Sequence, residues 1–169
     1  MFSEEERKDM IFKSLVEYGI EDRVEIVLSK NEYVAQSARD FGCDYLIRGI
    51  RSFVDFDYES LIQKANTEVL GGAKTIFVMP PRDLESVSSS FIKNLLGPVG
   101  WHWNIKKFIT NAVYDALIKN YLTTCVNKYT GLNLTPKEQT DFIEKVLNEY
   151  EGRPYHNIDH IVHCFQELE

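Results

Sequence analysis

Residues Tyr45-Leu-Ile-Arg-Gly-Ile-Arg51 run directly into Ser52-Phe-Val-Asp-Phe-Asp-Tyr-Glu59, and that junction limits the folds open to the chain. Tyr45, Leu46 and Ile47 form the short apolar run expected of a fully buried strand. Arg48 ends the run, Gly49 permits a sharp turn, and Ser52 with Asp55 reads as the N-cap pair of a helix. Two guanidiniums therefore stand where a strand hands over to a helix. In open α/β sheets that end of the strand is where ligands bind. A planar guanidinium pairs bidentately with phosphate oxygens, so Arg48 and Arg51 suit an anionic ligand. The same residues also admit a plainer arrangement, with the arginines solvated or bridged to Asp55 and Asp57.

The flanking sequence alternates helix and strand patterns. Ser3-Glu-Glu-Glu6 is a capping box, and Met10, Ile11, Leu15 and Val16 follow at helical spacing, predicting a helix over 4–18 that stops near Gly19. Arg23-Val-Glu-Ile-Val-Leu28 reads as a strand, and Asn31 as the N-cap of a helix through Phe41 with Gly42 as its stop. The arginine strand at 44–48 is followed by a helix over about 54–70, closed by Gly71-Gly72. Lys74-Thr-Ile-Phe-Val-Met79 is a third strand, halted by Pro80-Pro81. Such alternation implies a mainly parallel α/β sheet with helices on its faces. The pattern begins on a helix and yields only three strands, as though an opening strand–turn–helix unit were missing.

No strand signal appears after residue 80, and beyond about residue 97 the character of the chain changes. Gly97-Pro-Val-Gly100 is a breaker, Trp101-His-Trp103 an aromatic loop, and apolar residues recur at helical spacing from Ile105 to Tyr121. Thr135-Pro-Lys-Glu138 caps a helix that runs to about Tyr150, and Tyr155-His-Asn-Ile-Asp-His160 opens another. The expected division is an α/β domain over 1–118 and a helical segment over 119–169.

Charge and composition exclude several classes. A net charge of −7 over 169 residues argues against a nucleic-acid binder, so an anion site here is a local basic patch. No apolar stretch approaches the ~20 residues that span a bilayer, and the acidic first residues do not read as a secretory signal. Three widely spaced cysteines make no disulfide framework, which fits a reducing cytoplasm.

Ser88, Ser89 and Ser90 sit where the third strand's loop becomes a helix. Backbone N–H groups and small hydroxyls there suit a phosphate, although a serine triplet also serves as a plain N-cap. Both this loop and the arginine turn follow parallel strands, so the two are expected to share one anion cradle. At this point a resemblance emerges. Leu46-Ile-Arg-Gly-Ile-Arg51, Asp55-Phe-Asp-Tyr-Glu59 and Val87-Ser-Ser-Ser90 resemble the signature blocks of bacterial phosphopantetheine adenylyltransferase, a nucleotidyltransferase family with a Rossmann-like fold. Met1-Phe-Ser-Glu-Glu-Glu-Arg7 and Phe77-Val-Met-Pro80 extend the likeness, which covers about residues 1–118.

The resemblance implies adenylyl transfer from ATP, with Mg2+, to phosphopantetheine in coenzyme A synthesis, by a cytoplasmic homohexamer. It implies that Arg48 binds the phosphopantetheine phosphate and Val34 the pantetheine arm. Gly49, Ile50, Arg51 and Glu59 would contact ATP, and Leu84, Glu85, Ser86, Val87, Ser88, Ser89 and Ser90 would wrap its triphosphate. The family's first turn carries a threonine and a Gly-His pair, with a lysine soon after; the histidines here are only His102, His156, His160 and His163. The expectation is a family member starting at an internal methionine, with no catalytic residue of its own and little turnover. A bare nucleotide- or coenzyme A-binding module is the non-catalytic alternative.

His156, His160 and His163 fall at one-face helical spacing, which could hold a divalent transition metal. Arg153-Pro-Tyr-His-Asn-Ile-Asp-His160 also resembles the start of HD-type metal-dependent phosphohydrolases, which would make His160 a first metal ligand and supply a second enzymatic alternative. Surface histidines on a terminal helix are the favoured reading of these residues.

Overall fold

A computed structural model of the chain describes residues 2–29, 32–129, 131, 134–154 and 157–168. In chain order the elements are α1 (Glu4–Tyr18), α2 (Val34–Asp40), β1 (Tyr45–Gly49), α3 (Phe53–Lys64), β2 (Lys74–Val78), α4 (Ser89–Leu95), α5 (Trp101–Lys106), α6 (Asn111–Tyr129), α7 (Pro136–Tyr150) and α8 (Ile158–Gln166). A π-type turn, Ala65–Val69, prolongs α3. The chain divides into two compact units: a sheet unit, Val27–Ser88, and a helical unit made of Met1–Ile26 and Ser89–Glu169.

The sheet unit is one strand–helix–strand turn. β1 and β2 pair in parallel, with Arg48 opposite Phe77 and Gly49 opposite Val78. The ladder runs one step further, because Ile50 N–H donates to the Val78 carbonyl at 2.9 Å. α3 covers one face, where Phe56 meets Phe77 edge-on at 5.8 Å. Gly72 marks a second close approach: a Cβ there would lie 2.7 Å from the Ala35 Cβ of α2 and 3.0 Å from the Asn66 carbonyl oxygen. α2 ends as expected at Gly42, whose positive φ lets Cys43 N–H reach the Ala38 carbonyl.

Three expectations are corrected here. The sheet has two strands and not three among the described residues, since residues 24–29 form no ladder. Their alternation encodes an extended shape, which Val24 adopts, but a strand also needs a partner's hydrogen bonds. β1 is not buried on both faces: Ile47 is 72% exposed and Ile76 beside it 44%, because one covering helix shields one face only. Gly49 makes no sharp turn. It pairs within the ladder with an ordinary backbone, and a Cβ there would touch nothing within 4 Å. The Asn31 cap lies outside the described residues.

The helical unit is assembled on α6. Tyr114, Leu117, Ile118, Leu122, Cys125 and Val126 are its buried residues and recur at spacings of three and four, so they share one stripe. α1, α5, α7 and α8 pack against this helix, adding Ile105, Ile143 and Val162 to the core. Each such aliphatic side chain contributes ~1.5–3 kcal/mol on burial. α1 and α7 keep the predicted capping boxes at Ser3 and Thr135.

The run from Ile105 to Tyr121 is broken into α5 and α6, and a carboxylate from α1 accounts for the new start. Glu17 accepts hydrogen bonds from Asn111 N–H at 3.0 Å and Ala112 N–H at 2.7 Å, placing an anion at the positive end of α6. Residues 101–103 are helical and not a loop, with Gly100 at φ 78° preceding α5. Gln166 of α8 bridges that junction, donating to the Pro98 carbonyl and accepting from Gly100 N–H, each at 3.2 Å. α8 begins at Ile158 under an Asn157 cap, later than the tyrosine start expected; Tyr155 and His156 lie outside the described residues. Among the described residues no helix is long and apolar enough to cross a membrane.

His102 is fully buried in α5, and neither ring nitrogen has a hydrogen-bond partner among the described residues. Burial holds its pKa below the ordinary histidine value, Asp159 opposes that shift, and His163 and Lys106 reinforce it. The unfolded chain thus takes up this proton more readily. The stability is fully present above about pH 6.5 and declines as pH falls toward the folded-state value. His102→Leu is expected to reduce the loss of urea midpoint between about pH 7 and pH 5. An unchanged pH dependence would contradict this account of His102. Gly72→Ala is expected to cost about 1–3 kcal/mol by chemical denaturation, as overpacking against backbone does; a neutral substitution would mean that α2 yields freely.

Candidate active-site turn

The arginine junction forms as a strand-to-helix turn whose charges are all met from one helix. Ser52 caps α3, its hydroxyl accepting from Asp55 N–H at 3.1 Å. Asp55 and Glu59 lie four residues apart, one above the other on α3, and each takes one guanidinium. Arg48 donates through Nε and Nη2 to the two oxygens of Glu59, both at 2.7 Å. Arg51 donates from its backbone N–H at 3.3 Å and from Nε at 3.1 Å to Asp55 Oδ2. Its Nη1 also reaches the Val87 carbonyl at 3.5 Å, which joins the arginine turn to the loop before the serines.

The Arg48–Glu59 pair is the electrostatic centre of the turn. Glu59 has a side chain only 13% exposed, against 41% for Arg48, so the carboxylate is the inner member. Hydrogen bonds from Arg48 hold its carboxyl below the usual carboxylate range, and burial works against them. The same bonds raise the Arg48 pKa further. The pair therefore stabilises the fold above the ordinary glutamate pKa, and that contribution is lost as pH falls through the lowered value. A guanidinium has five N–H donors, and this fork engages two. Its Nη1 has no hydrogen-bond partner among the described residues.

The other predicted site residues fall as follows. Gly49 ends β1 and Ile50 continues its ladder, Gly49 with open space above its Cα and Ile50 buried with 6% exposure. Val34 opens α2 and is exposed, outside the hydrogen-bonded cluster. Leu84 ends a short 310 turn, Val87 N–H donates back to the Leu84 carbonyl at 3.0 Å, and Glu85 and Ser86 are exposed between them. Ser88 closes the sheet unit, while Ser89 and Ser90 begin α4 in the helical unit. Asp57 takes no part in the cluster; Asp55 and Glu59 do. The Val87 carbonyl is a partner the sequence did not announce, because a backbone acceptor carries no residue signature. The four-residue spacing of Asp55 and Glu59 was the readable sign that both acids share a face.

On α8, His160 Nε2 lies 3.6 Å from Cys164 Sγ, and His163 Nε2 lies 3.8 Å from Glu167. His156 lies outside the described residues. Among the described residues no group of three or more His, Cys, Asp or Glu side chains could hold a metal ion.

No family model matches the chain. Similarity to individual curated proteins is clear. A phosphopantetheine adenylyltransferase of Streptococcus suis is 38% identical over 115 residues, 68% of this chain and 67% of the relative. One from Neisseria meningitidis serogroup C is 34% identical over 92 residues, 54% of each chain, and one from Chromobacterium violaceum 30% identical over 99 residues. The chain spans about half the length of the Neisseria relatives it matches. With identity of that order over two thirds of the Streptococcus protein, the chain belongs to the phosphopantetheine adenylyltransferase family.

Proposed function

We propose that the sheet unit is the substrate shelf of a cytosolic phosphopantetheine adenylyltransferase, within an α/β region over 1–118. The observation that carries this reading is the Arg48 fork, its Nε and Nη2 fixed by Glu59 and its Nη1 without a hydrogen-bond partner among the described residues. A guanidinium already oriented by an internal carboxylate loses little freedom on meeting a phosphate, so more of the interaction appears as affinity.

The reaction is an in-line displacement at the α-phosphorus of ATP. The phosphate of phosphopantetheine attacks, the bond to the β-phosphate bridging oxygen breaks, and dephospho-coenzyme A and pyrophosphate result. Arg48 would hold the attacking phosphate and Val34 the pantetheine arm. Arg51 and the Gly49–Ile50 backbone would lie along the nucleotide, and residues 84–90 would receive the triphosphate with its Mg2+. Glu59, which the resemblance assigns to the nucleotide, acts on this reading through Arg48 as well. Such groups position reactants and neutralise charge, which is the protein's main work in phosphoryl chemistry.

Turnover by these 169 residues is a separate matter. The family's threonine and Gly-His turn has no counterpart in this sequence, and His102 is fully buried. We therefore propose binding with little or no pyrophosphate release from this chain alone. The exposed thiols at Cys43 and Cys164 suit the cytosol.

Calorimetric titration with phosphopantetheine and with MgATP tests the shelf. Arg48→Ala is expected to weaken phosphopantetheine binding by about 10- to 100-fold, the ~1.5–3 kcal/mol of a charged hydrogen bond. Gly49→Ala should leave the unfolding midpoint unchanged, since its Cβ would meet nothing within 4 Å, yet weaken MgATP. Wild-type chain that binds neither ligand would sink the proposal, and pyrophosphate release at a family-like rate would sink the claim of impairment.

A further inference from the structure

The helical unit carries a second reactive constellation that the adenylyl-transfer reading does not use. A surface cavity of about 600 Å3 opens beside α8. Tyr150, Ile161, Phe165 and Leu168 supply mainly apolar walls, and Cys164 and His160 line it together. These two residues lie four apart on α8, so the helix itself sets the 3.6 Å between Sγ and Nε2. Arg153 also lines the cavity, steadied by Glu149 at 3.2 Å and lying over the Tyr150 ring.

A nucleophile and a base in hydrogen-bond reach, open to solvent beside an apolar pocket, make a site for covalent chemistry. The chain's other thiols lack this setting. Cys125 is buried in the α6 stripe, and Cys43 is exposed with no side-chain partner among the described residues.

We propose that Cys164 is a thiol-exchange site, with His160 as its base, for small disulfides bearing an aromatic or apolar body. The thiol proton passes to His160 Nε2 as Sγ attacks one sulfur of the incoming disulfide. A new Sγ–S bond forms, the incoming S–S bond breaks, and the departing thiolate takes a proton to leave as a thiol. Cys164 sulfur is oxidised and the departing sulfur reduced, so the disulfide itself is the only oxidant required. The product is a mixed disulfide at the cavity mouth.

The three cysteines supply an internal control. The full chain is treated with limiting dipyridyl disulfide, thiopyridone release is followed by absorbance, and the modified peptide is identified by mass spectrometry. Cys164 should react about tenfold faster than Cys43, a modest share of what a positioned base contributes. Cys164→Ser should abolish the fast phase. His160→Gln, checked for an unchanged circular dichroism spectrum, should bring Cys164 down to the rate of Cys43. Replacing the reagent with glutathione disulfide, which is larger and polar, should lessen the preference for Cys164. Equal rates at the two cysteines, a fast phase that survives Cys164→Ser, or a rate indifferent to His160→Gln would each overturn the proposal.

Discussion

A guanidinium drawn partly out of water needs a fixed anion, and in the sheet unit that anion comes from α3. Asp55 and Glu59 occupy successive turns of one helical face and draw Arg51 and Arg48 toward it. Strand, turn and helix are thereby locked into one charged corner. Glu59 is the member that matters most, since it is nearly buried and would be left an uncompensated charge without Arg48. The backbone contributes less strain than the glycine between the arginines suggested. Gly49 has no left-handed conformation to adopt, so its missing side chain is better understood as clearance above the turn.

Much of this corner was legible in the sequence. Ser52 and Asp55 announced the start of α3 because a cap is a local device, complete within four residues. The same holds for Ser3 and Thr135, whose capping boxes form as written. Where partners come from far along the chain, the sequence was silent. Residues 23–28 have the alternation of a strand, but pairing is a property of two segments, and one segment cannot specify its neighbour. The break between α5 and α6 was hidden for a related reason: the anion that starts α6 belongs to α1.

On α8, the spacing of the histidines and the partners they meet are separate pieces of information. Three histidines at helical spacing invite a metal because spacing alone places them on one face. In the fold, one of the described pair stands beside a thiol and the other leans toward Glu167, so the face is divided between two kinds of contact. Nor is α8 loosely attached. Val162 is fully buried in the core, and the Gln166 amide closes both ends of a polar contact with residues 98–100.

The Glu17 contacts bear on how the molecule reaches this state. The donors they satisfy lie 94 and 95 positions further along the chain, with the whole sheet unit threaded between. Closing so long a loop is entropically costly and slow compared with local contacts. On the ribosome, α1 must therefore wait, its receptor still unmade, while the contiguous strand–helix–strand segment has all its own partners in hand. The intervening unit is in a position to mature first, and the helical unit, split in sequence, can only be completed afterwards.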